Sequence, residues 1–134
     1  MVEFREISFG EREMIAQIAS VHKDEVGKPC PKTGREPKSS QLHFVLVPSK
    51  PENWKEQNWW LFDTMASGSS WHDAVKQFKR LEIITEDDIS DAKSNLDLAK
   101  KIVEKADGKS FRFIERRLGR ALKPNWFPES VVKK

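Results

Sequence analysis

Two tryptophans stand side by side in the run Asn58-Trp-Trp-Leu-Phe-Asp63. An indole face can stack on a nucleobase, and an extended strand sends successive side chains to opposite faces. If this run is a strand, one of Trp59 and Trp60 faces the core and the other faces outward; Trp59 is assigned the outward place, and the exchange of the two stays open because Asp63, which suits a phosphate poorly, shares the face of Trp59. Side chains able to hold phosphates gather in two stretches far apart in sequence. Lys28, Lys32, Arg35 and Lys38 occupy the first, opposed by Glu36; Arg112, Arg116, Arg117, Arg120 and Lys123 occupy the second with Lys109, opposed by Glu115. Single-stranded nucleic acid is held by such a combination, a positive groove along the backbone with aromatic platforms under the bases, each stack contributing about 1–3 kcal/mol.

Other chemistries find less support. The sequence has no P-loop, no H-E-x-x-H and no G-x-S-x-G, so no catalytic residue is assigned. His72 and Asp73 are adjacent, but neighbours on a helix point about 100° apart, and a helix start explains Asp73 better than a dyad does. Cys30, His22, His43 and Asp24 are metal-binding types, yet no pair among them has a characteristic ligand spacing; no metal and no cofactor are expected. One cysteine allows neither an intramolecular disulfide nor a cysteine-based zinc cage.

These residues need a scaffold, and 134 residues with 34% charged and 37% hydrophobic side chains suit a single domain, 1–134, around one core. No run approaches the roughly 18 apolar residues of a membrane helix, and residues 1–13 hold no apolar signal core. A soluble cytoplasmic protein is expected. The net charge of +3 is too small to identify a partner by itself. Its distribution is uneven, because Glu82, Glu86, Asp87, Asp88, Asp91 and Asp97 form an acidic block against Lys93 alone.

Period-two alternation predicts a strand over 13–22, with Met14, Ala16 and Ile18 on one face and Val21 after a one-residue slip that a bulge would supply. Pro29, Pro31, Gly34 and Pro37 make the next stretch a long loop. A second strand over 41–47 alternates Leu42, Phe44 and Leu46 with Gln41, His43 and Val45, and the double tryptophan starts a third that runs to about 66. Trp71, Ala74, Val75, Phe78 and Leu81 then repeat at helical spacing after a Ser70–Asp73 cap. Thr85–Asp88 and Ser94–Asp97 cap two more helical segments, with Gly108 as a stop, so that the helical insert covers about 69–107. Strands over 109–118 and 126–132 follow, the last with Pro128 at an edge or bulge. The expected core is Leu42, Phe44, Leu46, Trp60, Phe78, Ile102, Val103 and Phe113.

The order β-β-β-α(α)-β-β is that of the OB-fold, a five-stranded Greek-key barrel. Another α+β arrangement, an antiparallel sheet with helices on one face, is the alternative. In an OB-fold the loops between strands one and two and between strands four and five flank the face of strands two and three, where oligonucleotides bind. Both basic stretches then line the rims of one groove, with His43, Trp54 and Trp59 between them.

The runs "EMIAQIASV", "NWWLF", "WHDAVKQFKRL", "DGKSFRFIERR" and "NWFPESVV" together resemble the small OB-fold single-stranded DNA-binding proteins of phage and plasmid replication modules. The resemblance implies a non-catalytic, sequence-tolerant binder of single-stranded nucleic acid, DNA rather than RNA. The terminal "ESVVKK" departs from the acidic tail through which many bacterial proteins of this kind recruit partners, so tail-mediated recruitment is not implied. A second reading uses the same tryptophans and arginines as hot spots of a protein interface. The protein would then be a small phage-type inhibitor module masking a host enzyme, its acidic block mimicking phosphate charge. The sequence does not separate the two, and it leaves homodimerisation and a host protein partner open. Nucleic acid is placed first because both basic segments map to one groove.

Overall fold

The computed structural model describes residues 12–29, 33–34, 39–116 and 125–132. Among the described residues, five strands and three helices follow one another as β1 (Glu13–Asp24), β2 (Gln41–Lys50), β3 (Gln57–Phe62), α1 (Ser70–Arg80), α2 (Glu86–Asp91), α3 (Asn95–Lys105), β4 (Ser110–Arg116) and β5 (Asn125–Val131). No helix among the described residues is long and apolar enough to cross a membrane.

The strands form one antiparallel sheet in the order β3-β2-β1-β4-β5. After the helices, β4 returns to the free side of β1, so that β4-β1-β2-β3 has the spatial order of a Greek key. The bulge expected in β1 is present: Ile18 pairs with Leu46 and Ser20 with Val45, leaving Ala19 as the extra residue. Its effect is to switch the inward phase, after which His22 and Asp24 share the face opposite the core.

That core alternates along each strand. Met14, Ala16 and Ile18 of β1, Leu42, Phe44 and Leu46 of β2, Trp59 and Leu61 of β3, and Phe111 and Phe113 of β4 are buried on one face. Trp71, Ala74, Val75 and Phe78 of α1 cover it together with Leu98, Ala99 and Ile102 of α3. Of the expected core, Leu42, Phe44, Leu46, Phe78, Ile102 and Phe113 are fully buried, whereas Val103 and Trp60 are only half-buried. Trp60 lies on the outer face, which corrects its assignment to the core.

The expected barrel is not closed. No ladder joins β3 to β5, and α1 lies against both of these edges instead. Ser70 Oγ accepts from the Phe62 N–H of β3, while Gln77 Nε2 donates to the Pro128 and Glu129 carbonyls of β5. Polar backbone groups on both edges that a closed barrel would pair are thus satisfied by helix side chains. The two edges also meet where Asn125 Nδ2 of β5 donates to the Trp60 carbonyl of β3 at 2.8 Å.

The caps follow the sequence with one shift. Ser69, not Ser70, caps α1 and accepts from the His72 N–H, which frees Ser70 for β3. Thr85 and Asp88 close a reciprocal capping box, Ser94 accepts from the Asp97 N–H, and Gly108 takes the positive φ of 79° that ends the α3 region. β3 stops at Phe62 rather than near residue 66, because Asp63 is engaged by Lys23 at 3.1 Å and Asn95 at 2.8 Å. Pro128 pairs with Phe113 beside the extra residue Glu129 of its own strand, β5, at the edge of the sheet, where its missing N–H is tolerated.

Candidate functional site

The cross-strand register sets one row of side chains on the outer face: His22 of β1 opposite His43 of β2, and His43 opposite Trp60 of β3. His43 is enclosed by its two neighbours. Its ring stacks on Trp60 with centroids 4.6 Å apart and meets His22 edge-on at 4.5 Å. A residue at an outward strand position is thereby fully buried.

Polar contacts fix the row. His43 Nε2 lies 2.7 Å from Asn58 Oδ1, which can only accept, so this nitrogen donates, and the tautomer that meets this contact has its proton there. The other ring nitrogen, Nδ1, is left with its lone pair toward His22 Nε2, 3.2 Å away. Asp24, two residues beyond His22 on the same strand face, is buried with its Oδ1 2.8 Å from His22 Nε2. Its Oδ2 accepts from the Trp60 indole N–H at 2.9 Å. One residue pair further along, Phe62 stands on the same face as Trp60 and is 48% exposed.

The residues expected to bind nucleic acid separate into four groups. Lys32, Arg35, Lys38, Arg117, Arg120 and Lys123 lie outside the described residues. Trp59 is not the outward platform: it is fully buried against Phe44, Phe78 and Phe113, with ring centroids 5.0–6.1 Å away. Three residues have other engagements. Arg112 is held between Glu13 and Glu129, Trp54 faces Trp126 with the Arg12 guanidinium over both rings, and Lys28 pairs with Glu25 at 2.9 Å. That last pairing holds the Glu25 carboxyl below its ordinary range, through the Lys28 hydrogen bond first and its charge second. The fourth group is near the row. His43 is part of it, though covered, and the exposed Arg116 lies over the Phe127 ring at 4.1 Å, opposite Asn125, the residue that reaches Trp60.

Asn58 and Phe62 were not among the candidates; His22 and Asp24 were weighed only as metal-binding types, and Trp60 only as the alternative to Trp59. A signal for part of the cluster exists in the sequence, since His22 and Asp24 are two apart and must share a strand face. What brings His43 opposite them is the pairing register, which is set by β1 and β2 together. Comparison with protein-family models, with curated proteins and with solved structures finds no match for the chain.

Proposed function

We propose that the protein binds single-stranded nucleic acid, DNA rather than RNA, without catalysis and without strong sequence preference, in the cytoplasm. The sheet then acts as a partly open OB-like barrel with α1 filling its gap, and the strand ligand crosses the outer face of β2 and β3. One observation carries this reading: Trp60 and Phe62 occupy alternate positions on the outer face of β3, with Phe62 48% exposed. Alternate residues of a strand are about 7 Å apart, which presents two aromatic groups side by side to successive bases.

Charge supports it at two points. Arg116 is exposed near the Trp60 strand, and Asp63, which would repel a phosphate, is paired with Lys23. The platform is therefore the other tryptophan of the pair, with Phe62 beside it.

Titration of a single-stranded oligonucleotide at low salt, followed by tryptophan emission, tests the reading. Saturable quenching by the single strand, with weaker response to the matching duplex, supports it. Absence of any binding at low salt overturns it and favours the protein-interface reading, in which Trp60 and Phe62 meet a partner protein.

A further inference from the structure

His22 Nε2, His43 Nδ1 and a carboxylate oxygen of Asp24 all lie within 4.8 Å of one another. The individual separations are 3.2 Å between the two nitrogens, 2.8 Å from His22 Nε2 to Asp24 Oδ1 and 3.5 Å from His43 Nδ1 to Asp24 Oδ2. A tetrahedral zinc ion with bonds of about 2.0–2.1 Å holds its ligand atoms about 3.3 Å apart. The two nitrogens already stand close to that spacing, and one carboxylate oxygen lies within 4.8 Å of both.

Hydrogen bonding among the described residues leaves one oxygen of this cluster unused. His43 presents a lone pair at Nδ1, because its proton is on the Nε2 that faces Asn58. A proton on His22 Nε2 can serve that lone pair. Asp24 Oδ1, 2.8 Å from His22 Nε2, then remains a buried carboxylate oxygen without a hydrogen bond among the described residues. A buried charged acceptor without a partner is costly. A cation among the three groups would be coordinated by both imidazole nitrogens and this oxygen together.

The surroundings match those of a metal ligand set. A ligating imidazole donates its other N–H to a carbonyl, and a ligating carboxylate is hydrogen-bonded at its second oxygen. Asn58 does the first for His43, and the Trp60 indole does the second for Asp24. The His22 side chain is 29% exposed, which gives an ion a way in and a fourth position for water. Two imidazole nitrogens with one carboxylate suit zinc, whereas magnesium and calcium favour sets made of oxygen alone.

We propose that His22, His43 and Asp24 bind a divalent transition-metal ion, zinc, with water as the fourth ligand. The site joins β1 to β2 and fixes the underside of Trp60. It does not rest on nucleic-acid binding, and its test needs no oligonucleotide.

The full chain, stripped with a chelator, is titrated with Zn²⁺ by calorimetry and with Co²⁺ by visible absorption. The expected result is one ion per chain, the strong visible bands of four-coordinate cobalt, and no competition from Mg²⁺. His22→Gln, at a partly exposed position, should fold and lose at least tenfold in Zn²⁺ affinity. Asn58→Ala touches only the far nitrogen of His43 and should lose about 10–100-fold. His72→Ala, away from the cluster, should bind like the native chain. A native chain that takes up no Zn²⁺ at micromolar concentration, or a folded His22→Gln protein that binds as tightly as native, would overturn the proposal.

Discussion

The Trp60 indole N–H donates to Asp24 Oδ2 at 2.9 Å, tying β3 to the end of β1 across the face of β2. Trp59, its neighbour in sequence, is buried in the core with an indole nitrogen that makes no hydrogen bond among the described residues. The two tryptophans should therefore fail differently. Trp60→Phe keeps a ring over His43 but leaves a buried carboxylate oxygen without its donor, and should cost about 1–3 kcal/mol in urea unfolding. Trp59→Phe loses no hydrogen bond and should cost less, while Trp59→Ala opens a cavity worth about 3–5 kcal/mol. A Trp60→Phe protein as stable as native would show that the bond to Asp24 contributes nothing.

The phase of this strand was hard to read for a physical reason. Trp59 and Leu61 form one alternating set and Trp60 and Phe62 the other, so both faces are apolar and period two cannot choose between them. The pairing of Phe44 with Trp59 decides it, and that contact is not local. Where one face is polar the sequence is sufficient, as in Leu42, Phe44 and Leu46, or in the slip after Ile18 that becomes the Ala19 bulge. Caps, which need only three or four consecutive residues, were also legible, apart from the choice between Ser69 and Ser70. The open sheet was not legible, because element order does not say whether a helix lies between β3 and β5. The His22–Asp24–His43 cluster depends on register for the same reason.

Gln77 is the clearest test of how α1 replaces a ladder. Its Nε2 donates to the Pro128 carbonyl at 2.9 Å and the Glu129 carbonyl at 3.1 Å, from a buried position. Gln77→Leu keeps the volume and strands these acceptors, so denaturant unfolding should show a loss of about 1–3 kcal/mol. Ser70→Ala, which removes one hydrogen bond to β3, should cost about 0.5–1.5 kcal/mol. Native stability in the Gln77→Leu protein would mean that β5 is held by its pairing with β4 alone.

Asp88 gives the helical insert an acid dependence. Its carboxyl is held below the ordinary aspartate range, first by the Lys105 hydrogen bond and then by the Thr85 backbone N–H. The unfolded chain therefore takes up the proton more readily than the folded one. The contribution of Asp88 is complete above the ordinary aspartate value of about 3.9 and fades as pH falls through the lower folded value. Melting temperature measured against pH should show native and Asp88→Asn proteins well separated near neutrality and converging in acid. A separation that stays constant into acid would assign the effect to shape rather than charge.

The outer-face account is tested most directly by single-strand binding of Phe62→Ala and Arg116→Ala across a salt series. Phe62 is exposed, so its removal should leave the fold intact. It should weaken binding by about 1–3 kcal/mol without changing the salt dependence, because a base stack releases no counterions. Arg116→Ala should flatten the slope of log affinity against log salt by about 0.7, the share of one phosphate contact on a single strand. Unchanged affinity and slope in both variants, with the native chain binding the oligonucleotide, would contradict the placement of nucleic acid on this face.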